Sequence, residues 1–189
     1  MRILIIYGTV EGQTRKIARA MEEHLQSQGH AVTCCSAIDK PPSPEAFDLV
    51  ILGGPIHAGH YPNALRHYAT KHAIALNARP SAFFSVCLHI VSGTDSALKE
   101  ALDIAQTFTA ACNWKPRRIE QIAGALKYTQ YDFFKRFMMK QIVKSKGGST
   151  DTEHDHEYTD WEQVKRFCEE MVVLAKEANL KVQAQELGA

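Results

Sequence analysis

The chain has 189 residues and a formal net charge of +1, with 22 lysines and arginines against 21 aspartates and glutamates. This length suits one domain with its own hydrophobic core, and the near-neutral charge argues against a protein that binds nucleic acid over its whole surface. No run of 18 apolar residues predicts a spanning helix, and five cysteines without a CxxC pair favour a reducing, cytoplasmic setting.

Five apolar runs alternate with segments of helical spacing along the chain. The first helix has Ile17, Met21 and Leu25 on one face, and Gly29 stands where its C-terminal cap is expected. Strands of a parallel sheet that is covered on both faces are typically continuous apolar runs of this kind. The pattern predicts strands at residues 3–7, 31–35, 49–53, 82–88 and 119–125, and further helices at residues 63–76, 96–111 and 161–176.

The alternation predicts a doubly wound α/β fold, because right-handed crossovers place helices on both faces of a parallel sheet. We expect a single domain over residues 1–178 and a C-terminal tail at residues 179–189. The proline-rich stretch at residues 39–48 predicts a surface loop with at most one short turn. Thr159 and Glu162 have the spacing of a capping box at the start of the last helix.

The loop after the first strand, GTVEGQT at residues 8–14, has the composition of an anion site. Gly8 and Gly12 permit a tight turn, and backbone amides at the start of the following helix point toward an anion. The loop lacks the lysine of a Walker motif and the GxGxxG spacing, so nucleoside triphosphates and dinucleotides are disfavoured. A phosphate group fits this loop, and a plain polar turn capped by Thr14 is the alternative.

Two further loops follow the third and fourth predicted strands, GGPIHAGHYPNAL at residues 53–65 and SVCLHIVSG at residues 85–93. Carboxyl ends of parallel strands meet at one edge of a sheet, so the three loops are expected to converge. Together they resemble the flavodoxin-like family, whose first loop reads T-x-T-G-x-T. Thr9, Gly12 and Thr14 match that pattern, and Glu11 replaces the middle threonine.

The resemblance implies a five-stranded parallel sheet of order 2-1-3-4-5 and FMN as the cofactor. The first loop is then expected to hold the phosphate, and the other two to enclose the flavin ring. No metal site and no catalytic side chain are predicted. The cofactor site implied by the resemblance comprises Thr9, Val10, Glu11, Gly12, Gln13 and Thr14, then Pro55, Ile56, His57, Ala58, Gly59, His60 and Tyr61, and finally Ser85, Val86, Cys87 and Leu88.

Several stretches resemble more closely the menaquinone-dependent protoporphyrinogen oxidase family of bacterial haem synthesis. These are GQTRKIA, GHYPNAL, PSAFFSV, YTDWEQV and the long segment at residues 122–152, within a similarity that runs from residue 1 to about residue 170. The resemblance implies six-electron oxidation of protoporphyrinogen IX to protoporphyrin IX, with the electrons passed to a membrane quinone. Where that family has a segment rich in lysine and arginine after the fourth strand, residues 88–109 contain only Lys99.

The stretch at residues 131–146 has an apolar stripe beside a basic one. Six cations and one anion between residues 127 and 146 give a local charge of 6 − 1 = +5. Such a helix suits the surface of an anionic membrane and predicts peripheral contact with the inner face of the cell membrane, although an ordinary helix packed on the sheet has the same pattern. A homo-oligomer is left open. The alternative functions are a flavodoxin-like electron carrier with a protein partner and an NAD(P)H:quinone reductase.

Overall fold

The computed structural model describes residues 1–126 and 156–187, and its centre is a five-stranded sheet. All neighbouring strands of this sheet are parallel, and their order is β2-β1-β3-β4-β5. The predicted doubly wound sheet and its strand order are therefore confirmed. The strands are β1 Arg2–Tyr7, β2 Ala31–Ser36, β3 Leu49–Pro55, β4 Ser81–Cys87 and β5 Arg118–Ala123. A separate antiparallel ribbon pairs β6 (Ala125–Leu126) with β7 (His156–Glu157).

The helices among the described residues follow the predicted positions, with two differences. The segment predicted as one helix at residues 63–76 is divided at His72, and the last helix runs on to Leu187. The division between a domain and a tail at residue 178 stays a prediction. The helices are α1 Gln13–Ser27, α2 Asn63–Lys71, α3 Ala73–Asn77, α4 Asp95–Ala111 and α5 Trp161–Leu187.

Each face of the sheet carries its own core, because successive side chains of a strand point to opposite faces. In β1, Ile3 and Ile5 face one core and Leu4 and Ile6 face the other, and all four are fully buried. The first core is closed by α1 and α5, and the second by α2, α3 and α4. The proline-rich loop contains one 3₁₀ turn, Pro44–Ala46, as predicted.

The start of α5 differs from the prediction. The Oδ1 atom of Asp160 accepts hydrogen bonds from the backbone N–H groups of Glu162 and Gln163 at 2.9 and 3.1 Å. The capping box that was predicted from Thr159 and Glu162 is therefore wrong. The hydroxyl of Thr159 instead points inward and donates to the carbonyl oxygen of Ala123 at 2.8 Å, so Asp160 caps the helix.

Across the described ranges, no helix is long and apolar enough to cross a membrane. The basic segment at residues 131–146 lies outside the described residues. All five cysteines are free thiols, and Cys87, Cys112 and Cys168 are buried.

Candidate cofactor site

Three loops meet at the carboxyl edge of the sheet, between β1 and β3, where the strand order reverses. The backbone N–H of Gly8 donates to the carbonyl oxygen of Gly53 at 2.8 Å, which joins the first loop to the end of β3. The N–H of Ile56 donates to the carbonyl oxygen of Val86 at 2.9 Å, which joins the second loop to β4. Such a reversal of strand order is where doubly wound sheets bind ligands, so the convergence expected from the sequence is confirmed.

The first loop turns sharply into α1. Gly12, with φ of 97°, forms the N-cap of this helix, and its own N–H donates to the Oγ1 atom of Thr9 at 2.9 Å. The side chain of Thr14 is buried at the second helical position, and no side chain caps α1. A plain turn capped by Thr14 is therefore not what the structure shows. Thr9 and Thr14 lie on either side of the turn and bring two hydroxyls to it.

The chemistry of this loop suits a phosphate. The N–H groups of Glu11, Gln13 and Thr14 donate no hydrogen bond to any other residue that the structure describes. The start of a helix also carries a partial positive charge, so unpaired amides there favour an anion. Val10 is exposed, and Glu11 is only partly buried.

One cation beside this loop was not singled out in the sequence. The Nη2 atom of Arg15 lies 3.9 Å from the position that a Cβ on Gly12 would take. The Arg15 side chain is exposed and belongs to the first turn of α1. The position of Arg15, directly after the loop that ends at Thr14, is the sequence signal that would have identified this cation, because a phosphate on the loop needs a counter-charge.

The second loop projects from the sheet as a tight turn. The backbones of His57 and His60 exchange two hydrogen bonds, of 2.9 and 3.0 Å, around Ala58 and Gly59. Both central residues have positive φ, 49° for Ala58 and 78° for Gly59, which is the geometry of a two-residue turn with mirror-image backbone. All four residues are exposed, whereas Pro55 and Ile56 at the base are half-buried. Both histidines therefore stand on the rim of the site.

Tyr61 lies beneath this turn rather than on its surface. Its ring packs against Phe83 and Phe108, with centroids 5.0 and 4.6 Å away, and only 4% of the residue is exposed. The Tyr61 hydroxyl and the Ser85 Oγ atom are 2.7 Å apart. Burial raises the pKa of the Tyr61 phenol well above its ordinary range, so the hydroxyl stays neutral. Tyr61 and Ser85 thus support the loop from below.

The third loop continues from β4 with buried side chains. Val86 packs into the core beneath α1 and α5, and Cys87 is 8% exposed. Burial raises the pKa of the Cys87 thiol, although the thiol sulfur accepts a hydrogen bond from the N–H of His89 at 3.3 Å. Cys87 is therefore a neutral thiol near pH 7 and not a nucleophile. Leu88 is half-buried and leads into the 3₁₀ turn His89–Ser92.

Long-range contacts that were not predicted from the sequence hold the start of α1. The Nε2 atom of Gln13 donates to Thr159 Oγ1 at 2.9 Å and to Glu157 Oε1 at 3.2 Å. The Nζ atom of Lys16 lies 2.5 Å from Glu157 Oε2 and 5.2 Å from the centroid of the Trp161 ring. These contacts join α1 to β7 and to the start of α5. Gln13, predicted in the cofactor site, therefore has protein partners of its own.

Comparison with known proteins agrees with this geometry. A family model described as a flavodoxin domain matches residues 4–153. The protoporphyrinogen IX dehydrogenase [quinone] of Escherichia coli (strain K12) is 38% identical over 183 residues, which are 96% of this chain and all of the relative. The chain belongs to the flavodoxin-domain family of protoporphyrinogen IX dehydrogenases.

Two further comparisons extend this assignment. A protein of the same name from Leishmania major is 31% identical over 177 residues, which cover 92% of this chain and 75% of that protein. Among solved structures, a flavodoxin from the domain Archaea superposes with a TM-score of 0.56 at 14% identity and covers 93% of this chain and 99% of its own. At that identity the structural likeness supports the flavodoxin fold alone.

Proposed function

We propose that this protein oxidises protoporphyrinogen IX to protoporphyrin IX with FMN as its cofactor and a quinone as its electron acceptor. The observation that carries the proposal is the group of amides at the start of α1 that have no partner among the described residues, which lies where three loops of a flavodoxin sheet converge. The 38% identity to a protoporphyrinogen IX dehydrogenase [quinone] over nearly the whole chain supports the choice of substrate.

The residues of the first loop fit the phosphate of FMN. The phosphate would accept hydrogen bonds from the amides of Glu11, Gln13 and Thr14 and from the threonine hydroxyls, and Arg15 would offset its charge. The turn from His57 to His60 and the segment at residues 85–88 would flank the ring. When bound, FMN supplies the redox chemistry, which is acceptance of hydride from the substrate and delivery of electrons to the quinone.

The chain itself contributes binding and orientation in this proposal. Tyr61 and Cys87 hold their protons because they are buried, so neither acts as a base near pH 7. His57 and His60 are the titratable side chains on the exposed turn that would border the ring. The third loop would border the polar edge of the ring and help to orient it, as preorganised backbone groups do elsewhere.

Two measurements on the purified protein test the proposal. Flavin released from protein prepared without added cofactor is identified by mass, and FMN in a 1:1 ratio is expected. An anaerobic assay then follows porphyrin fluorescence with protoporphyrinogen IX and a menaquinone analogue, and we expect porphyrin to form only when the quinone is present. Stoichiometric FAD would contradict the cofactor. Rapid bleaching of the flavin by NAD(P)H without porphyrin formation would favour a quinone reductase, and no reaction with either reductant would favour an electron carrier.

Contact with a membrane is a second proposal and rests on the sequence of residues 131–146. A quinone dissolved in lipid must meet the cofactor at the membrane surface, and the local charge of 6 − 1 = +5 between residues 127 and 146 suits anionic lipid. Replacement of Arg136, Lys140 and Lys144 by glutamine is expected to abolish co-sedimentation with anionic vesicles while FMN content stays unchanged. Equal sedimentation of the wild type and this variant would contradict the proposal.

A further inference from the structure

A groove of about 590 Å³ lies between α2 and α4, directly beside the exposed turn of the second loop. His60 borders one end, and the α4 residues that line the groove recur every three or four positions from Ser96 to Ala111. They therefore form one continuous face of α4. The volume is within the range of about 300 to 1,000 Å³ that is usual for sites of small organic ligands.

The wall of this groove is apolar in its interior. Tyr61, Ile104 and Phe108 line it, and Tyr61 and Phe108 are in ring contact with each other. Lys99 and Phe108 are nine positions apart, which corresponds to about 13 Å along a helix. A groove of this length, with an apolar patch at Ile104 and Phe108 between polar residues, accommodates a tetrapyrrole macrocycle lying along α4.

Two cations stand at the rim on facing helices, Arg66 on α2 and Lys99 on α4. Both are exposed, and neither lies within 4.0 Å of a carboxylate of any described residue. Of the two acidic side chains that line the groove, Glu100 is 3.5 Å from the Nδ1 atom of His89. The other, Asp103, offers an acceptor for N–H groups.

We infer that this groove binds the substrate, with one propionate of protoporphyrinogen IX on Arg66 and the other on Lys99. The inference rests on the proposed function. The macrocycle would pack on Ile104 and Phe108, pyrrole N–H groups would face Asp103, and one edge would reach the turn at His60, beside the proposed flavin ring. Lys99 is also the only lysine or arginine of residues 88–109, and the structure places it in this groove.

The test measures binding of protoporphyrin IX, the stable product, to FMN-loaded protein by fluorescence titration. Arg66→Gln and Lys99→Gln are each expected to weaken binding about threefold to fivefold, as for partly exposed ion pairs, and the double variant about tenfold or more. The matched controls are Arg117→Gln and Lys115→Gln, which change exposed cations outside the groove and are expected to bind as the wild type does. FMN content verifies that every variant is folded.

The dimethyl ester of protoporphyrin IX separates recognition of carboxylates from general electrostatics. The wild type is expected to bind the ester about as weakly as the double variant binds the free acid, and the double variant is expected not to distinguish the two. A double variant that still prefers the acid as strongly as the wild type does would overturn the inference, as would a wild type that binds neither compound.

Turnover distinguishes this inference from the proposed function. In the quinone assay, the double variant is expected to raise KM for protoporphyrinogen IX and to leave KM for a soluble quinone unchanged. The groove would be refuted if the wild type and the double variant oxidised protoporphyrinogen IX with the same KM and preferred the acid over the ester equally. The proposed function would then remain intact. A second outcome would support the groove and refute the proposed function. In it, the double variant loses the preference for the acid over the ester, and the wild type does not oxidise protoporphyrinogen IX.

Discussion

The hydrogen bond between Tyr61 and Ser85 gives a sharp prediction about how the second loop is supported. Both residues are buried, at 4% and 0% exposure, and their oxygens are 2.7 Å apart. Tyr61→Phe removes one partner and leaves the fully buried Ser85 hydroxyl without a hydrogen-bond partner among the described residues. Desolvating an unpaired hydroxyl costs about 1 to 3 kcal/mol, so we expect Tyr61→Phe and Ser85→Ala each to lower the free energy of unfolding by about 1 to 2 kcal/mol.

The double variant tests the reasoning, because removing both partners leaves no buried polar group without a bond. We expect the combined loss to be smaller than the sum of the single losses by about 1 kcal/mol. Tyr68→Phe is the matched control, since its hydroxyl donates to the carbonyl oxygen of Pro42 and shares no partner with Ser85. Its loss should add to that of Ser85→Ala.

Urea unfolding of the FMN-free protein, followed by circular dichroism, measures these differences without a contribution from ligand binding. Strict additivity of Tyr61→Phe and Ser85→Ala would refute the hydrogen bond as the link between the second loop and β4. Loss of FMN affinity in the single variants, with affinity restored in the double variant, would show that the bond also sets the position of the turn at residues 57–60.

Three further predictions concern the sheet, the first loop and alkaline pH. A Cβ on Gly53 would overlap the ring of Phe84, so Gly53→Ala is expected to lower the free energy of unfolding in urea by about 3 kcal/mol. Gly29→Ala is the control, because it has no neighbour in reach and loses only about 1 kcal/mol to its left-handed backbone; equal losses would contradict the overlap. Thr14→Ala should weaken FMN binding in fluorescence titrations by about 1 to 3 kcal/mol, because a hydrogen bond to the phosphate is lost. Glu11→Ala removes a negative charge beside the phosphate and should not weaken binding; the reverse order would mean that the phosphate lies elsewhere. Burial raises the pKa values of Tyr61 and Tyr68 above the ordinary 10.0, so the unfolded chain releases these protons at lower pH than the folded protein does. The stability that depends on these groups should be fully present below about pH 10 and fall as the pH rises further, and Tyr61→Phe should reduce that fall in urea midpoints measured from pH 9 to 11.

The sequence was sufficient for the sheet and for the first loop because both are encoded locally. A strand buried on two faces must be apolar throughout, as residues 3–6 are, and a turn that exposes amides needs glycine at a residue such as Gly12, whose φ is 97°. The break between α2 and α3 was missed because His72 carries no proline or glycine signal. The orientation of Tyr61 was also beyond the sequence, since it depends on Phe108 and Ser85, which lie on other elements.

The contacts around Glu157 connect the β6–β7 ribbon to the first loop, which are far apart in sequence. Leu126 pairs with His156 in the β6–β7 ribbon, so the last described residue before 127 and the first after 155 are neighbours. Glu157, the next residue, accepts hydrogen bonds from Gln13 and Lys16 at the start of α1. The ribbon is therefore anchored against the same helix turn that is proposed to hold the FMN phosphate. Glu157→Gln would remove the ion pair with Lys16 and weaken this anchor, so a variant at this ribbon is expected to disturb the first turn of α1 although it is distant in sequence.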